Sequence, residues 1–207
     1  MAAQNTREQD ALPTQAMILA GGASSRMGVD KAWLDYHGKP QIIWLYDVLE
    51  NLGLKTWISL QQDEEKLAGK NKVQDLPGYR GHGPLSGVLS AVQQLGADTA
   101  CLLIGCDYPL FGEREIGQLI AARNPNALAT VFAMEGCVLP FPAIWEPAML
   151  ACLESDFHAG RYSMRRSLED RADRLQIISP LSAASLQSAD TPEAAEAIRL
   201  QIGRKAE

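Results

Sequence analysis

No part of this 207-residue chain approaches the ~18 consecutive apolar residues that a membrane-spanning helix needs. The N-terminal residues are polar, so neither a membrane span nor a secretory signal is expected. Cysteine is scarce: Cys101, Cys106, Cys137 and Cys152 lie far apart and form no C-x-x-C. No disulfide framework follows from them, and a reducing, cytoplasmic setting is expected. The three histidines, His37, His82 and His158, lack helix or finger spacing for zinc and read as loop or surface residues. Positive charge is also in deficit. A net charge of −6 argues against a nucleic-acid or anionic-membrane surface, which would need a broad basic patch. Two common phosphate loops are missing as well: no G-x-x-x-x-G-K-[ST] occurs, and Gly21-Gly22-Ala23-Ser24-Ser25-Arg26 does not fit G-x-G-x-x-G.

What is present is the composition of a soluble globular protein, 46% hydrophobic and 21% charged, long enough for one domain with a substantial core. Residues 1–14 read as a flexible polar tail and 15–207 as a single domain. A buried-strand-length apolar run, Ala16 to Ala20, breaks into Gly21-Gly22-Ala23-Ser24-Ser25, followed by Arg26 and Lys31. Adjacent glycines let backbone N–H groups approach a ligand, and successive N–H groups form an anion-binding concavity. From Arg26 to Lys39, three cations against Asp30 and Asp35 leave a local positive excess in an acidic chain, which suits a small anionic ligand. An ordinary turn with two surface cations explains the glycine pair equally well when it is taken alone.

Downstream, helical spacing begins at Pro40, with Pro40 expected at the first helical position and Gly53 as the stop. Strands are expected at Thr56–Leu60 and Lys72–Asp75. A helix follows through Leu85, Val88, Leu89, Val92 and Leu95. The continuous apolar run Ala100–Ile104 suits a central parallel strand covered on both faces. After a helix around Ile116–Ile120 and a strand at Ala127–Ala133, the proline-interrupted segment Leu139–Pro147 reads as a crossing to a short helix. A helix at Ser163–Leu168, a strand at Leu175–Ile178 and a last helix opened by Thr191 and Pro192 complete the chain. The alternation predicts an α/β protein, a Rossmann-like three-layer sandwich with a mainly parallel sheet. Ligands of such sheets bind outside the carboxyl ends of the strands, where Gly21-Gly22, Ser59, Asp75 and Asp107 all fall.

Asp107 ends the most apolar strand, and a carboxylate there needs a partner, water or a cation. Magnesium, which takes one or two carboxylates together with substrate phosphate, meets that need, and a capping aspartate is the alternative. Asp75 could accept hydrogen bonds from a ribose hydroxyl or from N–H groups on a purine edge, or cap a helix. His82 to Gly87 could bring backbone close to a base, or form no more than a tight helix entry. Arg161, Arg165 and Arg166 form a second basic cluster, either a phosphate contact for a second substrate or solvated helix charge.

Leu19-Ala20-Gly21-Gly22-Ala23-Ser24-Ser25-Arg26-Met27-Gly28, then Asp30-Lys31 and Gly38-Lys39-Pro40, resembles the signature of the molybdenum cofactor guanylyltransferases, the MobA family of nucleotidyltransferases. Gly83-Pro84-Leu85-Ser86-Gly87 resembles its second motif and Cys106-Asp107-Tyr108-Pro109 its metal motif. Gly160 to Arg166 and Thr191-Pro192-Glu193 are similar to its late segments. The resemblance covers about Ala16 to Ile202, and its fold is that of the nucleotide-diphospho-sugar transferases. It implies transfer of GMP from Mg-GTP to the terminal phosphate of molybdopterin, with release of pyrophosphate. By position it implies nucleotide contacts at Leu19, Ala20, Gly21, Gly22, Lys31, Gln61, Asp75 and Asp107. It further implies magnesium at Asp107 and catalytic roles for Arg26, Lys31 and Asp107. Cofactor-delivery proteins or apo-molybdoenzymes are the implied partners beyond the substrates GTP and molybdopterin. Ser188-Ala189-Asp190 stands where the family often has Asn-x-Asn, and Ser59 and Gln61 stand where its second strand usually delivers asparagine or arginine. A molybdopterin cytidylyltransferase, a sugar-phosphate nucleotidyltransferase and a silent nucleotide-binding partner protein are the competing readings.

Overall fold

The computed structural model of the protein describes residues 15–20 and 30–206. The expected tail, together with Gly21, Gly22 and Arg26, lies outside the described residues.

Seven strands form one sheet: β1 (Gln15–Leu19), β2 (Lys55–Leu60), β3 (Lys72–Gln74), β4 (Cys101–Gly105), β5 (Ala129–Met134), β6 (Cys137–Trp145) and β7 (Leu175–Ile178). Their order is β3-β2-β1-β4-β6-β5-β7. β1, β2, β3 and β4 run parallel to one another, β5 pairs parallel with β7, and β6 is antiparallel to both of its neighbours. Among the described residues six α-helices accompany the sheet: α1 (Gln41–Asn51), α2 (Pro84–Leu95), α3 (Glu113–Ala122), α4 (Pro147–His158), α5 (Met164–Glu169) and α6 (Pro192–Ala206).

Side chains alternate between the faces of a strand. From β1, Ala16 and Ile18 join Ile42, Leu45 and Leu49 of α1 and Ile116 and Leu119 of α3 on one face. Met17 and Leu19 join Leu85, Val88 and Leu89 of α2, Met149 and Leu153 of α4, and Leu168 of α5 on the other. β4 divides in the same way, Leu102 and Ile104 against Cys101 and Leu103. Every residue of β4 is buried, as a strand covered on both faces requires. This is the three-layer α/β sandwich expected from the alternation.

Two expectations need correction. Pro40 is the N-cap of α1, not its first helical residue. The segment expected to be a crossing is a strand: residues 137–145 form β6, between β4 and β5. Its prolines had argued against a strand because they cannot donate to a ladder. Pro140 and Pro142 lie in a register break, between the pairs Val131↔Ala143 and Ala133↔Val138, where no ladder donor is needed. The hairpin turns at Glu135 and Gly136, both at positive φ (52° and 79°), which matches the right-handed twist of the flanking strands.

Candidate active site

The carboxyl ends of β1, β2, β3 and β4 open onto a cleft. β1 contributes Leu19 and Ala20, whose backbone N–H donates to the Ser59 carbonyl at 3.2 Å. Ser59 of β2, Asp75 just past β3, and Gly105, Cys106 and Asp107 at the end of β4 complete the strand side. α2 enters through Gly83, Pro84 and Gly87. Gly83 is its N-cap, at φ 61° and ψ −137°, a conformation essentially restricted to glycine. Neighbouring strands lie ~4.8 Å apart, so the ends of β3 and β4, three strands apart, are separated by roughly 14 Å. The cleft therefore has a β3 end and a β4 end.

The β4 end concentrates charge. Asp107 caps no helix, since α3 starts at Glu113 behind Gly112. Its carboxylate instead lies back over Gly105: a Cβ on that glycine would be 2.3 Å from Asp107 Oδ1. Burial raises the Asp107 carboxyl above its ordinary pKa; the charge of Asp190 adds to the shift, while a backbone hydrogen bond and Lys31 oppose it. The segment before α6 reaches this point, because the Ala189 N–H donates to the Asp107 carbonyl at 2.8 Å. Asp190 forms an ion pair with Lys31 and accepts from Ser188 Oγ at 2.5 Å. Lys31 itself opens a short 3₁₀ turn, Lys31–Trp33, whose N-cap Asp30 accepts from the Ala32 N–H at 3.0 Å.

The carboxylates of Asp107 and Asp190, hard oxygen donors beside the Lys31 ammonium, suit a divalent cation that completes its shell with water and phosphate. Among the described residues no group of three or more His, Cys, Asp or Glu could hold a metal, so no all-protein cage is built here. The thiol of Cys106 is fully buried, and that burial, with Asp107 and Asp30 adding to it, pushes its pKa well up, which makes it inert.

At the β3 end Asp75 is 8% exposed and Ser59 is 4% exposed. Burial raises the Asp75 carboxyl, and Arg80 opposes the shift. Asp75 makes no capping bond: the turn at Pro77–Tyr79 follows Leu76, and Arg80 Nε meets only the Asp75 carbonyl, at 3.2 Å.

Of the residues expected at the site, the cleft gathers Leu19, Ala20, Lys31, Asp75 and Asp107. Gln61 lines an adjoining hollow that shares Ala20, Asp30 and Ala32 with the cleft. The second basic cluster divides. Arg161 pairs with Asp156 at 2.5 Å and Arg166 with Asp170 at 3.1 Å, while the charge of Arg165 bears on the half-buried Tyr108 phenol beside Asp107. His37 stacks on Trp44 at 3.8 Å, and His82 packs on Phe157 and Tyr162. Sequence reasoning missed the approach of Asp190 to Lys31 and the lining residues Gly105 and Phe141. The one available signal was that Ser188 and Asp190 depart from an asparagine pair just before Thr191-Pro192. No helix among the described residues is long and apolar enough to cross a membrane.

A family model described as a MobA-like NTP transferase domain matches residues 16–175. A molybdenum cofactor biosynthesis bifunctional protein of Synechocystis is 27% identical over 187 residues; the match covers 87% of this chain but only 52% of that protein. A probable molybdenum cofactor guanylyltransferase of Bacillus licheniformis is 27% identical over 163 residues, covering 78% of this chain and 80% of the relative. Among solved structures, molybdopterin-guanine dinucleotide biosynthesis protein A from Archaeoglobus fulgidus superposes with a TM-score of 0.73 at 19% identity, covering 92% of this chain and 99% of its own. At that identity the likeness speaks for the fold.

Proposed function

This chain belongs to the MobA-like NTP transferase domain family, and from that premise we propose that it transfers GMP from GTP to the terminal phosphate of molybdopterin. The carrying observation is the cleft's charged end, where Asp107, Lys31 and Asp190 meet at the end of the first and most apolar strands.

The reaction needs no protein nucleophile. A terminal phosphate oxygen of molybdopterin attacks the α-phosphorus of GTP, the bond to the β-phosphate oxygen breaks, and pyrophosphate leaves with that electron pair. Catalysis is then positioning and charge stabilisation. Lys31 exchanges the Asp190 carboxylate for α-phosphate oxygens and stabilises the charge that develops there. Leu19, Ala20, Gly21 and Gly22 bring backbone N–H groups to the phosphates. Arg26 favours departure of pyrophosphate. Asp107, with Asp190 beside it, would hold magnesium, and the ion would supply neutralisation of phosphate charge. Asp75, at the far end of the cleft, and Gln61, beside it, bind the nucleoside. Cofactor-delivery proteins or apo-molybdoenzymes would receive the product, and the setting is the cytoplasm.

The test is pyrophosphate release from GTP with molybdopterin and Mg²⁺. The wild-type protein should turn over, and Asp107→Asn should abolish metal-dependent turnover while leaving the thermal unfolding transition in place. Turnover unchanged in that variant would rule out Asp107 as the metal residue.

A further inference from the structure

Residues 107–112, between β4 and α3, belong to no helix or strand, and Asp107 opens this loop. Backbone bonds hold part of it: the Ala189 N–H donates to the Asp107 carbonyl at 2.8 Å, and the Phe111 N–H to the Tyr108 carbonyl at 3.1 Å. A side chain holds its middle. His37 Nε2 lies 3.0 Å from the carbonyl of Pro109, a buried residue two positions past Asp107. A carbonyl only accepts, so Nε2 carries the proton and donates. The proline ring fixes φ at Pro109, so few free torsions separate the anchored carbonyl from the Asp107 side chain.

His37 is itself held in place. Asp35 Oδ1 accepts from the His37 N–H at 3.1 Å and from the Gly38 N–H at 2.7 Å, an Asx turn that Gly38 continues at φ 79°. Arg199 of α6 donates Nε to the Asp35 carbonyl at 3.1 Å. The imidazole lies flat on the Trp44 indole of α1, with ring centroids 3.8 Å apart and planes 14° from parallel. That indole also reaches the far end of the loop, since a Cβ on Gly112 would lie 3.4 Å from Trp44 Cη2. His37 does not line the cleft. Any flat ring would serve the stack, but the bond to Pro109 needs the N–H.

We propose that His37 is a positioning residue, whose Nε2–H, through the Pro109 carbonyl, fixes the loop that presents the Asp107 carboxylate to the cleft. The proposal rests on the guanylyl-transfer reading, in which that carboxylate would hold the metal. Groups that orient a metal ligand from outside typically cost ~10–100-fold in metal affinity or activity when they are removed. The same loop is tied to α6 through Ala189 and, by way of Arg199, Asp35 and His37, a second time. Losing the His37 bond therefore loosens the loop at one point and leaves its other end anchored, and the lower part of that range is expected.

The test compares His37→Phe, which keeps a flat ring on Trp44 and removes the donor, with His37→Gln, which keeps a donor of similar reach. Mn²⁺ binding is titrated by electron paramagnetic resonance with α,β-methylene GTP, which cannot release pyrophosphate. GTP binding in EDTA, kcat and KM with Mg²⁺, and thermal melting accompany it. His37→Phe should weaken Mn²⁺ and lower kcat about tenfold each, with metal-free GTP affinity and the KM for GTP unchanged. His37→Gln should recover most of both losses. Wild-type Mn²⁺ affinity and kcat in folded His37→Phe, or the same losses in His37→Gln, overturn the proposal, because the ring would then act by packing alone. If His37→Phe does not fold, His37→Asn replaces it: its shorter amide cannot reach Pro109, so the same losses are expected and wild-type values overturn the proposal. Wild-type protein that releases no pyrophosphate from GTP would overturn the guanylyl reading instead, while the Mn²⁺ comparison, which needs no turnover, still judges His37.

Discussion

Gly105→Ala is the most discriminating small change at the charged end of the cleft. The position is buried at the end of β4, and its φ lies outside the left-handed region, so alanine fits the backbone. The added methyl would lie 2.3 Å from Asp107 Oδ1, 3.4 Å from its Cγ and 3.5 Å from Phe141 Cδ2. Ordinary contact begins about an ångström further out, and the Phe141 contact is already acceptable. The whole conflict therefore falls on one carboxylate oxygen, the free end of a side chain that can rotate away. A catalytic group displaced by about 1 Å costs on the order of 10²-fold in rate. The expectation is a loss of roughly that size in kcat with magnesium, little change in metal-free GTP affinity, and an unfolding transition shifted by no more than a few degrees. Pyrophosphate release, isothermal titration in EDTA and thermal melting read the three quantities. Full kcat would mean that the Asp107 carboxylate does not act from its observed position. Loss of fold would mean that Gly105 is a packing residue only.

Lys31→Ala should lower kcat about 10²–10³-fold, the size of losing one donor to a developing oxyanion; weakened GTP binding with kcat intact would make Lys31 a docking residue. Asp156 should govern acid stability. It is 2% exposed, and burial alone would raise its pKa. Instead, the hydrogen bonds of Arg171 (2.9 and 3.0 Å), Ser167 and Arg161 hold it well below the usual carboxylate range. Its stabilisation is full above the unfolded carboxyl pKa of about 3.9 and is lost as pH falls towards the lower folded value. Asp156→Asn should therefore cost about 2–3 kcal/mol at pH 7 in urea unfolding, somewhat less than for fully buried pairs because Arg161 and Arg171 reach solvent. The difference from wild type should shrink below about pH 4, and a pH-independent difference would refute the ion-pair account. Asp75 carries the opposite shift, raised by burial. Asp75→Asn in the nucleotide-free protein should leave melting unchanged or slightly higher at pH 7, and a large drop would reveal a structural bond.

Much of the fold was legible because each parallel strand is an apolar run bounded by turn residues, and Cys101–Gly105 is the plainest case. β6 was not legible. Three prolines within eight positions look like a breaker, and only the register break around Pro140 and Pro142 reconciles them with a strand. At the site, Lys31, Asp75 and Asp107 could be named because they lie just past strands and inside motifs. Asp190 could not, since its contact with Lys31 spans 159 positions and depends on how the 188–190 segment folds back onto Asp107. Likewise, nothing local in Ser86-Gly87-Val88 says that its glycine faces Ser59. Arg161, Arg165 and Arg166 looked like one basic cluster because the sequence does not reveal that Asp156 and Asp170 draw two of them away.

The central claim is that this cleft joins GMP to molybdopterin, and a competition tests it most directly. The protein is incubated with Mg²⁺, molybdopterin and equal GTP, CTP and ATP, and the dinucleotide product is identified by mass. The guanine dinucleotide should form almost exclusively, with one pyrophosphate released per product. A cytosine dinucleotide formed while GTP remains untouched would contradict the account.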